Sequence, residues 1–258
     1  MIESLKSTKE ELSFVIRGIN HTLANAIRRS AEEIPVLAVD SLEIVKNDSV
    51  LYDEIIAHRI GLIPLEADKT FTLPEECSCD GKGCVKCSAN LTLKVAGPGM
   101  VKAGDLKSKT IKPIYPEIPI VLLQDGQELE FVAEAKLGKG TEHAKCSPGL
   151  IWFRAYPKIE ISKECNLCNE CVKVCPKNVY ESNGKISVKN LTNCDICNAC
   201  VEACARKGKN AIKISGSEED FIFEIESFGQ LAPKEIFSES LKALKKNLKE
   251  LDKDINKL

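Results

Sequence analysis

The sequence predicts an α+β fold with a separate cysteine-rich block. Apolar residues alternate near both ends of the chain, at Leu12, Phe14 and Ile16 and again over residues 221–225, which is typical of half-buried strands. The last 25 residues carry a helical apolar pattern instead. Cysteines concentrate between residues 160 and 212. With 258 residues, the chain is long enough for about two domains.

The first 45 residues predict a strand, a helix and a second strand. Asn20 can cap the helix, and Leu23 and Ile27 lie on its apolar side. We expect this helix to run to about residue 33, because the residue before Pro35 disfavours the helical region. Residues 46–150 are rich in β-formers, glycine and proline, and predict a small irregular β domain with one short helix near residues 53–60.

A long C-terminal helix is predicted to begin near Pro233, since proline is tolerated in the first turn. Its apolar residues recur at steps of four and three, in a heptad seam about 22 residues long. The seam consists of Phe237, Leu241, Leu244, Leu248, Leu251, Ile255 and Leu258. It could cover the chain's own core, but so strict a seam favours a partner helix. The lysines between these residues predict a solvated face.

Composition excludes several classes of protein. The chain carries 36 basic and 38 acidic residues, and this balance argues against nucleic-acid binding through its own charge and against a polybasic membrane surface. No apolar run reaches the length of a membrane-spanning helix, and the N-terminus does not resemble a secretion signal. We therefore expect a soluble, cytoplasmic protein.

The cysteine-rich block contains an internal repeat. The pattern C-x2-C-x2-C-x3-C begins at Cys165 and again at Cys194. Zinc sites or disulfides are alternatives, but this spacing is similar to that of bacterial-type ferredoxins and favours iron–sulfur clusters. The second copy has Ala205 where the first has the Pro176 typical of that family.

The resemblance to ferredoxins implies two [4Fe-4S] clusters, one of which could occur as [3Fe-4S]. It implies that three cysteines of each motif bind one cluster and that the fourth reaches the other cluster. The first cluster would be held by Cys165, Cys168, Cys171 and Cys204, and the second by Cys194, Cys197, Cys200 and Cys175.

A second cysteine group has the spacing C-x-C-x4-C-x2-C. Its members are Cys77, Cys79, Cys84 and Cys87, around a turn with the sequence Asp80-Gly81-Lys82-Gly83. Four thiolates can close a tetrahedral structural site, so we expect Zn²⁺, the alternative being free cysteines left from a lost site. Cys146 stands alone and is expected to be a buried small apolar residue.

No catalytic pattern accompanies these cysteines. His21, His58 and His143 lie in no recognisable ligand motif and are expected to be structural. The residues Gly138-Lys139-Gly140 lack the spacing of a phosphate-binding loop. The sequence also contains no Asp-x-Asp-x-Asp triad for nucleotidyl transfer.

Three further segments resemble the α-like subunits of RNA polymerase. They are residues 20–40, 51–65 and 142–161, with the sequences NHTLANAIRRSAEEIPVLAVD, LYDEIIAHRIGLIPL and EHAKCSPGLIWFRAYPKIEI. With the terminal helix, the resemblance spans nearly the whole chain and is closest to the archaeal D-type branch of that family. The cysteine group at 77–87 resembles the zinc site of the eukaryotic counterpart. A ferredoxin-like insert occurs in a subset of the archaeal branch.

The resemblance implies a discontinuous α-like dimerisation domain built from residues 1–45, 150–160 and 212–258. A β domain (46–149) and a ferredoxin-like domain (161–211) would be inserted in it. The implied partners are the small L subunit, the N and P subunits, and the two large subunits, the largest of which carries the catalytic magnesium. Residues 21–33 and 237–258 would pack against L. The residues expected to face the second-largest subunit are Arg28, Arg29 and the stretch 58–65, which includes His58 and Arg59.

The sequence thus supports two functions. The chain could be a non-catalytic assembly platform of a DNA-directed RNA polymerase, with clusters that stabilise their domain or sense redox state during assembly. Alternatively, it could be a ferredoxin-type electron-transfer protein, although no G-x-G-x-x-G nucleotide motif follows any predicted strand.

Overall fold

The computed structural model describes residues 2–66, 71–79 and 82–257 and has a mixed α/β architecture. The described residues form the strands β1 (Ile2–Ser7), β2 (Glu11–Arg17), β3 (Val36–Asn47), β4 (Leu65–Glu66), β5 (Ser88–Ala96), β6 (Gly99–Lys102), β7 (Lys112–Pro113), β8 (Pro119–Leu123), β9 (Glu128–Gly138), β10 (Gly149–Ile161), β11 (Tyr180–Ser182), β12 (Ile186–Val188) and β13 (Ile212–Ser227). Their α-helices are α1 (His21–Ser30), α2 (Asp53–Gly61), α3 (Glu170–Val174), α4 (Ala199–Arg206) and α5 (Pro233–Ile255). Among these helices none is long and apolar enough to cross a membrane.

The chain divides into two compact units. The first unit contains residues 1–7, 12–26 and 151–224, and the second contains residues 8–11, 27–150 and 225–258. Each unit is therefore discontinuous in sequence. The three domains expected from the sequence divide the chain differently, and that division stays a prediction.

A four-stranded sheet in the order β1-β2-β13-β10 forms the core of the first unit. Stacked and edge-on rings fill this core: Phe223 lies 5.7 Å from Phe14 and 5.4 Å from Phe153, centroid to centroid, and His21 packs edge-on against Phe153. In β13, Ile222 is buried as completely as Phe223. The expectation that one face alone of this strand would be buried was therefore wrong.

The second unit contains a three-stranded antiparallel sheet in the order β3-β9-β5. The large side chains of Leu91, Leu129 and Phe131 are fully buried in its core. Ile56 and Ile60 of α2 belong to the same core, which confirms the short helix predicted near residues 53–60. The pairs β4-β7 and β6-β8 complete the β structure described in this unit.

Helix α1 begins where the sequence indicates and ends sooner. The backbone N–H of Leu23 donates to Asn20 Oδ1 at 2.8 Å, so Asn20 is the predicted cap. The α-helix stops at Ser30, and residues 31–33 form a 3₁₀ turn instead of the last helical turn that we expected. Ile34, before Pro35, is extended.

Helix α5 presents two different apolar faces. Pro233 occupies its first turn, as predicted, and Ile236 and Ser240 are fully buried within the second unit. The seam is offset by one residue from this buried face. Its first members (Phe237, Leu241 and Leu244) are half-buried, whereas Leu248, Leu251 and Ile255 are 56%, 56% and 57% exposed. Leu258 lies outside the described residues.

The two faces predict different responses to truncation. Ile236→Ala should lower the free energy of unfolding by about 2–5 kcal/mol, because it leaves a cavity in a filled core. Leu248→Ala should change it by less than about 0.5 kcal/mol, because the side chain is exposed in the isolated chain. Urea unfolding of the purified chain measures both, and equal losses would show that the seam is part of this chain's own core.

Candidate metal centres

The two cysteine repeats fold into the same loop-and-helix structure. In each, the third cysteine lies in a short helix, with Cys171 in α3 and Cys200 in α4. Helices α3 and α4 pack against each other. The third and fourth cysteines of the repeats thereby come close together, with Cys171, Cys200 and Cys204 in one buried cluster.

Both loops contain bulky residues in a left-handed backbone conformation. Leu167 and Ile196 have φ angles of 60° and 61°, and Asn169 and Asn198, two residues later, have 60° and 62°. Positive φ is a genuine outlier for a β-branched residue such as isoleucine. Alternation of right- and left-handed residues turns successive N–H groups toward a common concavity. Such concavities bind anions and occur at many iron–sulfur sites. The repeated strain therefore marks the two loops as matched binding loops.

Four of the predicted ligands surround one enclosed cavity. Its lining includes Cys165, Cys168 and Cys171 of the first motif and Cys204 of the second. Asn169 lines the same cavity, and its Oδ1 is buried without a hydrogen-bond partner in the described structure. A half-turn of this amide would exchange the unpaired acceptor for an N–H donor, a group suited to sulfide or thiolate. The cavity thus fits a group with many sulfur acceptors.

The other four predicted ligands are less completely enclosed. Cys194 and Cys200 are buried, Cys175 is half-buried and Cys197 is exposed. The N–H of Val179 donates to Cys175 Sγ at 3.4 Å. The charge of Cys175 acts on the Cys200 thiol, so the last cysteine of the first motif lies near the third of the second motif.

Burial opposes ionisation of these thiols in the absence of a metal. It raises the pKa of Cys171 to about 11, and it also raises the pKa of Cys194 and Cys200. The N–H groups of Val172 and Val201 partly oppose this effect at Cys171 and Cys200. Because a coordinating thiol is deprotonated, bound iron would provide the positive charge that these sites lack.

The second loop is fixed to the four-stranded sheet. Arg154 of β10 donates to the carbonyl oxygens of Thr192 at 2.6 Å and Cys194 at 2.8 Å, and its Nε donates to Glu224 at 3.2 Å. Ile196 approaches β13 at Gly216, where an added Cβ would lie 3.4 Å from Ile196 Cδ1. Sequence reasoning missed Arg154, because nothing in its surrounding sequence marks a contact with carbonyl groups some 40 residues away.

The cysteines at 77–87 form a much tighter group. All four sulfur atoms lie within 4.8 Å of one another. The closest sulfur pairs are Cys79–Cys87 at 3.4 Å, Cys79–Cys77 at 3.5 Å, Cys77–Cys84 at 3.6 Å and Cys84–Cys87 at 3.8 Å. A tetrahedron with Zn–S bonds of about 2.3 Å has edges of about 3.8 Å. The sulfur atoms are too far apart for disulfides and fit a tetrahedral ion.

The surroundings of these four thiols shift the pKa values of Cys77 and Cys87 in opposite directions. The N–H of Cys79 and the side chain of Thr72 lower the pKa of Cys77 to about 6. Although the N–H of Cys84 opposes the change, burial and the neighbouring thiols raise the pKa of Cys87 to about 12. The N–H of Cys84 donates to Cys87 Sγ at 3.3 Å, a contact of the kind that supports the ligands of a metal site. Asp80 and Gly81 of the predicted turn lie outside the described residues.

The remaining predicted site residues lie on helices. Arg28 and Arg29 are in the last turn of α1, with Arg29 exposed, and His58 and Arg59 are exposed in the last turn of α2. The guanidinium of Arg59 donates to the Pro119 carbonyl oxygen at 2.8 Å. Cys146 is buried beside Val36 and Ala38, in the apolar setting expected for it.

Arg154→Ala should loosen the second cysteine loop, because it removes two charge-assisted bonds to carbonyl oxygens. The expected loss of stability is about 3 kcal/mol. The purified Arg154→Ala variant should release iron to a chelator faster than the wild-type protein, and it should unfold at a lower temperature. Lys173→Ala is a matched control, since Lys173 makes an exposed ion pair with Glu170 and should change neither measurement. Unchanged iron release in both variants would show that Arg154 does not support the loop.

Comparison with known proteins identifies the family. Residues 42–152 match the RNA polymerase Rpb3/RpoA insert domain, and residues 158–205 match the 4Fe-4S dicluster domain, which supports iron–sulfur binding by the clustered cysteines. The chain is 45% identical to the DNA-directed RNA polymerase subunit Rpo3 of Methanothermobacter thermautotrophicus over 90% of this chain and 89% of the relative. It is 36% identical to those of Archaeoglobus fulgidus (100% and 98% covered) and Thermococcus kodakarensis (98% and 96%). The chain therefore belongs to the Rpo3 family of archaeal DNA-directed RNA polymerase, the D-type branch of the α-like subunits, and carries an iron–sulfur insert.

Proposed function

We propose that this chain is the non-catalytic assembly subunit of its RNA polymerase and forms a heterodimer with the small L subunit. The observation that carries the proposal is the exposed apolar end of α5, in a chain that matches Rpo3 proteins over nearly its whole length. The enzyme activity belongs to the assembled polymerase. In this proposal, the catalytic magnesium is bound by the largest subunit.

The seam of α5 supports a helical partner. Leu248, Leu251 and Ile255 repeat at steps of three and four and are each more than half exposed. Complete burial of such side chains contributes about 1.5–3 kcal/mol each. An apolar seam with this repeat is the pattern that one helix offers to another. The L subunit, which the family resemblance implies to have a similar fold, is the partner that we propose.

A second proposed surface lies at the ends of α1 and α2. Arg28, Arg29, His58 and Arg59 would face the second-largest subunit, where arginines can donate to carboxylates or carbonyl groups. An exposed apolar side chain lies on the same helix as His58, since Ile55 of α2 is 47% exposed. The heterodimer with L, together with the N and P subunits, would form the platform on which the two large subunits assemble.

The cysteines would hold three metal centres. Two [4Fe-4S] clusters, one of which could occur as [3Fe-4S], would bind the sets Cys165, Cys168, Cys171, Cys204 and Cys194, Cys197, Cys200, Cys175. One Zn²⁺ would bind Cys77, Cys79, Cys84 and Cys87. We assign the clusters mainly a structural role, because metal binding supplies folding free energy that a short segment with few large apolar residues lacks. Regulation of assembly through their oxidation state is the second role that we propose.

In the domain division that we propose, the zinc cysteines and the cluster cysteines lie in different inserts. Residues 1–45, 150–160 and 212–258 would form the dimerisation domain, with residues 46–149 and 161–211 as its two inserts.

An electron-transfer function is less well supported, because the match to polymerase subunits covers 90% or more of the chain whereas the dicluster domain covers residues 158–205.

Removal of the exposed seam should abolish pairing with L. The triple variant Leu248→Ala, Leu251→Ala and Ile255→Ala keeps good helix formers but removes three apolar side chains. Affinity for co-purified L should fall at least about a hundredfold, as expected for the loss of several kcal/mol. Lys249→Ala with Asp252→Ala alters the exposed polar face without changing net charge, and this control should bind L normally. Normal capture of L by the triple variant would rule out the seam as the interface.

Metal analysis tests the ligand sets directly. Anaerobically purified protein should contain about eight iron atoms and one zinc ion per chain, from the ligand counts of the two site types. Cys168→Ser should lose about half the iron and retain zinc, whereas Cys79→Ser should lose zinc and retain iron. Cys146→Ser, at a cysteine outside both groups, should retain both metals. Zinc bound in place of iron at 165–204 would contradict the cluster assignment.

A further inference from the structure

The two proposed cluster sites differ at one pair of corresponding positions. Tyr180 follows the first cysteine motif and begins β11, and Ile212 follows the second motif and begins β13. Both side chains are buried, at 5% and 3% exposure. Tyr180 follows Cys175 in the chain and lies at the second site, to which Cys175 belongs. Ile212 follows Cys204 and lies at the first site, to which Cys204 belongs. Ile212 lines the cavity of Cys165, Cys168, Cys171 and Cys204, while Tyr180 contacts Cys200 of the other set.

The contact of Tyr180 is a hydrogen bond to a proposed ligand atom. Its hydroxyl oxygen lies 3.2 Å from Cys200 Sγ, within reach of an O–H···S bond. A cysteine that binds iron is a thiolate and has no proton to give. The tyrosine must then be the donor. Ile212 has no donor group, so the hydroxyl adds to the second site a hydrogen bond that Ile212 cannot provide to the first.

A donor at this sulfur affects the two oxidation states of a cluster unequally. Reduction adds negative charge, part of which lies on the sulfur ligands, and a hydrogen bond stabilises a sulfur with more negative charge more strongly. Hydrogen bonds to the sulfur atoms are among the features that determine cluster potentials. The effect is larger in a buried setting than in water. Tyr180 and Cys200 are both buried.

We propose that Tyr180 is a positioning residue of the second cluster, which donates a hydrogen bond to Cys200 and makes the reduction potential of that cluster more positive. The inference rests on the proposed clusters. It extends that proposal, because it makes the two clusters inequivalent although their cysteine motifs have the same spacing. Reduction would then reach the second cluster at a less negative potential than it would without the hydroxyl group.

The test is a reductive titration of anaerobically purified holoprotein, followed by electron paramagnetic resonance. Tyr180→Phe keeps the ring and removes the hydroxyl. One of the two midpoint potentials should move to a more negative value, and the other should stay within error. Tyr156→Phe removes a hydroxyl elsewhere in the same unit, where Tyr156 packs against Arg17, and should move neither potential.

A second measurement keeps the side chain in place. Incorporation of 3-fluorotyrosine at all four tyrosines makes the phenol a stronger donor. The same midpoint should then move to a more positive value. The shift should persist when Tyr52, Tyr115 and Tyr156 are all replaced by phenylalanine, which leaves Tyr180 as the one labelled tyrosine. This measurement decides the question if Tyr180→Phe loses its iron.

Two outcomes overturn the inference in distinguishable ways. Wild-type protein with about eight iron atoms but no response to 3-fluorotyrosine would show that the hydroxyl does not act on a cluster. Wild-type protein without iron would overturn the cluster assignment itself and this inference with it.

Discussion

The left-handed conformation of Leu167 and Ile196 is the constraint on which the cysteine-rich segment depends. Each such residue costs on the order of 1–3 kcal/mol and persists only where its surroundings hold it. The structure contains part of that support. Arg154 binds the carbonyl groups of Thr192 and Cys194 at the start of the second loop, and Ile196 lies against the sheet beside Gly216. We assign the rest of the support to iron, because burial raises the pKa of the Cys171 and Cys200 thiols, and a bound cation would stabilise their thiolate forms.

The two cysteine groups bring their sulfur atoms together in different ways. In the group at 77–87, one- and two-residue separations bring the four sulfur atoms to within 4.8 Å of one another, close enough for a single ion. In the repeat, cysteines from two motifs 29 residues apart line one enclosed cavity, and two-cluster iron–sulfur proteins likewise take the ligands of one cluster from both motifs. In the assignment that we propose, neither group requires any residue besides cysteine as a ligand.

Local rules predicted where helices begin, whereas long-range contacts could not be predicted from them. Asn20 and Pro233 could be recognised because a helix start depends on neighbouring residues alone. Strand β1 was not predicted, because all six of its residues are exposed and it carries no burial pattern. The contact of Tyr180 with Cys200 depends on the packing of α3 against α4, so no spacing in the sequence reveals it. The cysteine groupings needed only spacing, whereas the groups that adjust them needed the structure.

The position of β13 in the sheet has a consequence for folding during synthesis. In the order β1-β2-β13-β10, the last strand to be made lies between β2 and β10. Strand β10 therefore has no neighbouring strand in this sheet until residue 212, where β13 begins, has left the ribosome, 51 residues after the last residue of β10. At about 5–20 residues per second, this delay is roughly 3–10 seconds. All eight cysteines of the repeat emerge within that interval, so iron delivery to the nascent chain can precede completion of the sheet.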